Sequence, residues 1–233
     1  MNFNWNANTI KWYREANAYS GFFRNVAALI APKLEGYATF CDIGCGLGLV
    51  DLELRKSIRQ ITCIDINTEA IGTLKKSIAA QKIRNIETRL MDCSELDENW
   101  DIIYMSFFGS HELEKYLPRC QKMIAVVGKK IKENTAMDQY KSFQKNSYDK
   151  VAEDLNRKGI PYSLTEVSLE FGQPLVSVED AKNYIRSNYA GISDADVNDL
   201  LAQKLIETNE KDYPFYIPKK KEIGIFEIKG EYR

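Results

Sequence analysis

The chain has 233 residues, 44% of them hydrophobic, and its 32 basic residues nearly balance its 33 acidic residues. This length and composition suffice for one folded domain with a full core and an elaboration. The near-neutral charge argues against electrostatic capture of nucleic acid, which needs a basic footprint. The one basic cluster, residues 219–221, favours a solvated loop.

The sequence also limits the compartment and the kinds of cysteine chemistry. No apolar segment approaches the roughly 18 residues that a membrane span requires, so no membrane association is expected. Residues 1–9 lack the basic-then-apolar order of a secretory signal, which makes the cytoplasm the expected location. The five cysteines are an odd number and include no Cys-x-x-Cys pair, so we expect neither a disulfide framework nor a metal site.

Residues 1–35 are rich in aromatic side chains and predict two helices. Trp12, Tyr19 and Phe23 follow one another at seven- and four-residue steps, the spacing of one helix face. Residues 20–34 predict a second helix that ends near Gly36. The aromatic side chains either contact a ligand or cover one edge of the sheet that follows.

A glycine-rich turn follows the first predicted strand. Residues 38–41 are an apolar run typical of a buried strand, residues 42–48 have the sequence DIGCGLG, and a helix begins at Leu49. Strand, glycine turn and helix in this order bring backbone N–H groups against a polar ligand. The dinucleotide fingerprint does not fit, because its third glycine would fall at Leu49. An ordinary strand-to-helix turn is the alternative interpretation.

Two further strands end in acids. Residues 61–64 precede Asp65, which lies 21 positions after Gly44, where an acid can hydrogen-bond a ribose diol. Asp65 could instead cap the amphipathic helix predicted over residues 68–81, although Asn67 or Thr68 could cap that helix without it. The strand predicted over residues 86–91 precedes Asp92, and the polar residues that follow make a helix cap the alternative there.

The fourth and fifth predicted strands cover residues 101–106 and 122–127. His111, the only histidine, follows the fourth strand. Its unperturbed pKa suits a general base. In the alternative interpretation Ser110 caps a short helix, and His111 lies in the exposed first turn.

The C-terminal part predicts an elaboration of the sheet. A long helix is expected over residues 136–158, and strands over residues 162–171 and 222–229. Between these strands, Ser177 and Ser193 are placed to begin two helices, and an aromatic connector covers residues 213–218. We expect this insert to roof a substrate pocket, and a structural or dimerisation appendage is the alternative.

Glycines at positions one, three and five, with an acid two residues before the first, resemble motif I of the class I S-adenosylmethionine (SAM) methyltransferases. Here these residues are Asp42, Gly44, Gly46 and Gly48. The resemblance covers residues 40–127. It implies an α/β fold with a Rossmann-like, mostly parallel seven-stranded sheet, an antiparallel edge strand, N-terminal helices and a helical insert before the last strand. The implied division is a lid over residues 1–35, a SAM-binding core over 36–170, a substrate lid over 171–221 and a last core strand over 222–233.

The resemblance also implies the contacts of the cofactor. An acid at Asp92 would reach the adenine amino group, and the backbone N–H of Cys93 would face a ring nitrogen. Ser106 and Phe107 would line the methionine end, and a tyrosine of the N-terminal lid would contact the SAM carboxylate. The full set of expected cofactor contacts is Asp42, Gly44, Cys45, Gly46, Asp65, Ile66, Asp92, Cys93, Ser106 and Phe107.

The implied activity is methyl transfer from SAM to an O, N or C atom of a small molecule, with S-adenosylhomocysteine as product. Such an enzyme mainly aligns its reactants and excludes water, so a strong catalytic signature is not expected, and His111 is the one candidate base. The chain lacks the (Asp/Asn)-Pro-Pro-(Tyr/Phe) motif after the fourth strand, which together with the neutral charge favours a small-molecule acceptor. The alternatives are a non-catalytic SAM-binding partner subunit and a protein or RNA methyltransferase. The glycine spacing disfavours an NAD-dependent oxidoreductase.

Overall fold

The computed structural model describes residues 3–107, 112–129 and 147–232. These residues fall into two compact units. The insert unit contains residues 3–22 and 168–221, and the sheet unit contains the other described residues. Within the described part of the chain, no helix combines the length and apolar character needed to cross a membrane.

The described elements are seven α-helices, three short 3₁₀ helices and ten strands. The helices are α1 Ala7–Ser20, α2 Phe22–Ile30, α3 Leu49–Leu54, α4 Thr68–Ala80, α5 Tyr148–Arg157, α6 Val178–Asn188 and α7 Asp194–Lys204. The strands are β1 Thr39–Ile43, β2 Gln60–Asp65, β3 Ile86–Leu90, β4 Trp100–Ser106, β5 Cys120–Gly128, β6 Tyr162–Glu170, β7 Gln173–Leu175, β8 Ile206–Glu207, β9 Phe215–Ile217 and β10 Lys220–Lys229.

Seven strands form the main sheet in the order β3-β2-β1-β4-β5-β10-β6. The first five strands in this order, from β3 to β5, all pair in parallel with their neighbours, and β10 runs antiparallel to β5. This confirms the Rossmann-like α/β sheet predicted from the sequence. The chain order reverses at β1, which pairs with β2 on one side and with β4 on the other. Open α/β sheets bind ligands at such a reversal, beyond the carboxyl ends of the strands.

The central strands are buried on both faces, as their near-continuous apolar sequences predict. In β1, residues 40–43 are all buried, and Ile102 and Ile103 of β4 are fully buried. Asn67 begins α4, because its Oδ1 accepts a hydrogen bond from the Ala70 N–H at 3.0 Å. The last part of the helix expected over residues 136–158 corresponds to α5. Residues 136–146 lie outside the described residues.

The second N-terminal helix differs from its prediction at both ends. Gly21 adopts a left-handed conformation and ends α1, so α2 begins at Phe22 rather than at Ser20. A 3₁₀ turn with Pro32 in its first positions replaces the last part of the expected α-helix. A proline lacks the backbone N–H that a continuing α-helix would use, which accounts for the change.

The insert unit has its own core. Trp12 of α1 packs with Leu175, Ala181 and Ile185, although these residues are far from it in sequence. Ser177 and Ser193 cap α6 and α7 as predicted.

The aromatic connector contains a strand that the sequence did not predict. β9 is the middle strand of a small sheet with the order β7-β9-β8. Each of these strands has only two or three residues, too few to display an alternating pattern.

Candidate functional site

The glycine turn lies beyond the carboxyl end of β1 and is tied to the end of β2. The N–H groups of Gly44 and Cys45 both donate to the carbonyl oxygen of Ile64, at 2.8 and 3.0 Å. Gly44, Gly46 and Gly48 have φ angles of 74°, 55° and 61°, a left-handed backbone conformation that residues other than glycine rarely adopt. A Cβ at Gly48 would lie 2.6 Å from Leu74 Cδ1, so this position also lacks space for a side chain.

Asp65 joins this turn to the start of α4. Its Oδ2 accepts a hydrogen bond from the Gly46 N–H at 2.8 Å, and its Oδ1 accepts one from the Asn67 N–H at 2.8 Å. Asn67, not Asp65, caps α4. A carboxylate has about four acceptor positions, so Asp65 keeps capacity for two further hydrogen bonds.

Apolar side chains are exposed near the same carboxyl ends of the strands. Ile66 follows β2 and is 47% exposed, and Leu90 ends β3 and is 53% exposed. Apolar side chains beside a few directed polar groups are characteristic of ligand pockets.

Asp92 follows β3 as an exposed residue. It is the N-cap of a 3₁₀ turn that begins at the half-buried Cys93, and its Oδ1 accepts from the Ser94 N–H at 2.8 Å. This hydrogen bond lowers the pKa of Asp92. The capping geometry considered from the sequence is therefore present, and it uses one of the two carboxylate oxygens.

The carboxyl end of β4 turns sharply at Phe107. This residue has a φ of 57°, rare for a bulky side chain, while its N–H still donates to the carbonyl oxygen of Val126 at 2.9 Å. Ser106, the last residue of β4, is half-buried. His111, the candidate base, and its three preceding residues lie outside the described residues.

Asp42 and Asp51, which precede and follow the turn in the sequence, form a buried pair of carboxyl groups. Asp42 is 1% and Asp51 is 0% exposed. Burial raises the pKa of Asp51 to about 6. Burial and the neighbouring Asp51 carboxylate raise the pKa of Asp42 well above its usual range. Sequence reasoning identified Asp42 but missed Asp51. The available signal was an acid within the apolar start of α3, at a position that faces the sheet.

Two cysteines border this pair and behave as small core residues. Burial raises the pKa of the Cys45 and Cys63 thiols, so neither is a thiolate at neutral pH. Within the described ranges, no group of three or more His, Cys, Asp or Glu side chains is arranged to hold a metal ion.

A cleft of about 640 Å³ lies at the opposite end of the parallel strands. It is lined by Tyr37, which precedes β1, and by Lys122 and Glu227. The Lys122 ammonium lies 3.7 Å from Glu227 Oε2 and over the Tyr37 ring, so these two charges pair with each other. The glycine turn and the acids at the strand ends are not part of it.

Comparisons with known proteins agree with this geometry. Residues 40–130 match the sequence family described as "Methyltransferase domain", which spans β1, the glycine turn and the strands through β5. A search of curated proteins finds no match to the chain.

Similar folds occur among solved structures. YcgJ from Bacillus subtilis is 14% identical, with 89% of this chain and 99% of that chain covered and a TM-score of 0.56. Magnesium protoporphyrin IX methyltransferase from Synechocystis PCC 6803, solved with bound SAM, is 11% identical with a TM-score of 0.53 and covers 97% of this chain and 86% of that chain. The candidate RNA methyltransferase PH1948 from Pyrococcus horikoshii is 11% identical with a TM-score of 0.52, covering 90% and 84%.

The family match spans the glycine turn, Asp65 at the end of β2 and Asp92 after β3, and the solved structures share the sheet that positions them. Over residues 40–130 the chain has the sequence of a methyltransferase domain, and its sheet has the fold of solved methyltransferases, one of which contains bound SAM.

Proposed function

We propose that the chain transfers the methyl group of SAM to a small-molecule acceptor and that the turn and strand ends described above hold the cofactor. The observation that carries this proposal is the pair of hydrogen bonds by which Asp65 joins Gly46 to Asn67. These hydrogen bonds hold the Asp65 carboxylate, which can accept further hydrogen bonds, beside the Gly46 backbone, where no side chain blocks access. This arrangement suits a ligand with a vicinal diol and polar groups that approach the backbone closely.

The other expected contacts follow the line of the strand ends. Ile66 offers exposed apolar surface for the adenine ring, and Asp92 with the Cys93 N–H would bind the ring edge. Gly44 and Cys45 belong to the turn, toward the methionine portion, and Asp42, buried just before the turn, would act there through the turn rather than by direct contact. Ser106 and Phe107 lie at the end of β4, next to β1 in the sheet, where the methyl group would be presented.

The cofactor supplies an activated methyl group with a good leaving group. What the chain must add is alignment of the acceptor, exclusion of water and, for some acceptors, removal of a proton. His111 remains our candidate for that proton transfer, because it closely follows β4 in the sequence.

Charge and sequence support a small-molecule acceptor. The net charge is −1, and Ser106-Phe107-Phe108-Gly109 replaces the motif typical of enzymes that methylate exocyclic amines. The basic cluster 219–221 does not present three free charges, because the Lys221 ammonium packs over the Phe171 ring. The fold itself leaves the acceptor open, since similar structures include one with a tetrapyrrole acceptor and one ascribed to RNA.

We also propose that residues 1–35 and 171–221 act as a lid over the acceptor and that the enzyme works in the cytoplasm. Support for a shared role comes from the insert unit, whose core combines Trp12 of the N-terminal helix with Leu175 and Ile185 of the insert. A structural or dimerisation role is the alternative for this unit.

A labelling experiment tests the acceptor class. The protein is incubated with SAM carrying a labelled methyl group and with a cell extract divided into a small-molecule fraction, a protein fraction and an RNA fraction. We expect label in the small-molecule fraction, with matching formation of S-adenosylhomocysteine. Label in the protein or RNA fraction would overturn the small-molecule assignment, while still demonstrating methyltransferase activity. A Gly46→Val variant, which blocks the approach to the backbone, is the control for enzyme-dependent labelling.

A further inference from the structure

Asp42 and Asp51 flank the glycine turn from opposite sides in the sequence. Asp42 is in β1, two residues before Gly44, and Asp51 is in α3, three residues after Gly48. Both side chains are buried and their carboxyl groups interact directly. The pair therefore connects the strand and the helix that together set the geometry of the turn.

The two carboxyl groups lack ordinary hydrogen-bond donors. Asp42 Oδ1 and both oxygens of Asp51 are buried without a hydrogen-bond partner among the described residues. The titratable groups near the pair are Cys41 in β1, Cys45 in the turn, Cys63 in β2 and Asp65 at the end of β2, none of which carries positive charge. Two ionised carboxylates in such a position would be uncompensated, and buried charges of this kind are strongly unfavourable. One proton held between the carboxyl groups removes one charge and provides a hydrogen bond.

The expected ligand has the opposite charge. SAM carries a positive sulfonium, a positive α-ammonium group and a negative α-carboxylate, so its net charge is positive. The turn that would bind it begins two residues after Asp42. A positive charge nearby favours the ionised form of a carboxyl group.

We propose that Asp42 and Asp51 share one proton in the cofactor-free protein and act as a positioning pair that releases this proton when the cationic cofactor binds at the glycine turn. This inference rests on the proposed cofactor site. In the step, the O–H bond of the shared carboxyl group breaks, the electron pair stays on the carboxylate and the proton passes to the solvent. The pair does not touch the cofactor, since it is buried, and it acts through the charge and geometry of the turn.

Calorimetry measures the proton directly. Binding of SAM and of S-adenosylhomocysteine is titrated at pH 7.0 in buffers with different ionisation enthalpies, and the slope of binding heat against buffer enthalpy gives the number of protons released. We expect wild type to release a substantial fraction of one proton. Asp51→Asn should release clearly less with the same ligand, because the amide can donate to an Asp42 carboxylate that is already ionised.

The matched control is Glu53→Gln, which removes an exposed acid from the same helix and should release as many protons as wild type. A second readout needs no cofactor: the infrared spectrum of the free protein at pH 7 should contain a protonated-carboxyl band that Asp51→Asn changes and Glu53→Gln retains.

The outcomes separate the two levels of the proposal. Binding without proton release in wild type, or equal release by wild type and Asp51→Asn, would overturn the shared proton while leaving the cofactor site intact. Failure of wild type to bind either ligand would overturn the proposed cofactor site itself. If Asp51→Asn does not fold, the wild-type buffer series and its infrared band decide the question without the variant.

Discussion

The Gly46 N–H donates a hydrogen bond to Asp65 Oδ2 at 2.8 Å, so the two most informative features of the sequence contact each other in the structure. Asp65 positions the glycine turn, and the turn fixes the direction of the Asp65 carboxylate. A substitution at Asp65 therefore removes a proposed ribose contact and loosens the turn in the same step.

Replacing Asp65 by alanine should weaken the binding of S-adenosylhomocysteine by about 2 kcal/mol or more, the scale of hydrogen bonds to a charged group. Isothermal calorimetry measures this difference. Asn67→Ala is the matched control, because it removes the cap of α4 and costs about 1 kcal/mol of stability while leaving Asp65 in place. Equal affinity of Asp65→Ala and wild type would contradict the assignment of Asp65 to the ribose.

Replacing Gly48 by alanine should destabilise the protein by roughly 1–3 kcal/mol in urea unfolding. The new Cβ would meet Leu74 Cδ1 at 2.6 Å, and the φ of 61° disfavours any side chain. Gly72 provides the control, since it lies inside α4 with no atom within 4 Å of an added Cβ. Gly72→Ala should stabilise by up to about 1 kcal/mol, and a Gly48→Ala variant as stable as Gly72→Ala would contradict the packing described at the turn.

The buried acid pair makes stability depend on pH. The folded-state pKa of Asp51 is raised from 3.8 to about 6, so the folded protein binds more protons than the unfolded chain between these values. Stability from this group is fully present below pH 4 and is lost as the pH rises through 6. A shift of this size corresponds to a cost on the order of 2–3 kcal/mol above the window.

Asp51→Asn should therefore gain stability relative to wild type as the pH rises from 4 to 8, by about 2–3 kcal/mol across the range. Urea unfolding at a series of pH values measures the difference, and Glu53→Gln should show a difference that changes little with pH. A pH-independent difference for Asp51→Asn would mean that Asp51 has no raised pKa in the folded protein.

Lys221 should stabilise the insert unit through aromatic rings. Its Nζ lies 4.0 Å from the centre of the Phe171 ring and 5.1 Å from that of Phe22. Lys221→Ala should cost about 1 kcal/mol or more in thermal or urea unfolding, whereas alanine at the exposed Lys220 should have little effect. Lys220 and Lys221 begin β10 rather than the solvated loop predicted from the sequence. Equal stability of the two variants would contradict a stabilising contact between Lys221 and these rings.

Local sequence patterns predicted the parts of the site that depend on neighbours in the chain. The turn at Gly44 and the position of Asp65 follow from apolar runs, glycine spacing and the rule that ligands meet the carboxyl ends of strands. The Asn67, Ser177 and Ser193 caps were also predictable, because capping depends on residues within a few positions of the helix start.

Contacts between distant residues could not be predicted in this way. The pairing of Asp51 with Asp42 depends on how α3 packs on β1, and the packing of Lys221 on Phe22 joins residues about 200 positions apart. β9 has three residues and gains its place from β7 and β8 rather than from its own sequence. These features depend on tertiary packing, which overrides local propensity.

Thermal unfolding with S-adenosylhomocysteine, and with NAD as the control nucleotide, tests the central claim most directly. At about 100 times the dissociation constant a ligand stabilises by roughly 2.7 kcal/mol, which raises the midpoint of a chain this size by about 5–10 °C. We predict that shift with S-adenosylhomocysteine and none with NAD. No shift with S-adenosylhomocysteine, after dialysis to remove co-purified ligand, would contradict the assignment of the glycine turn and Asp65 to the cofactor.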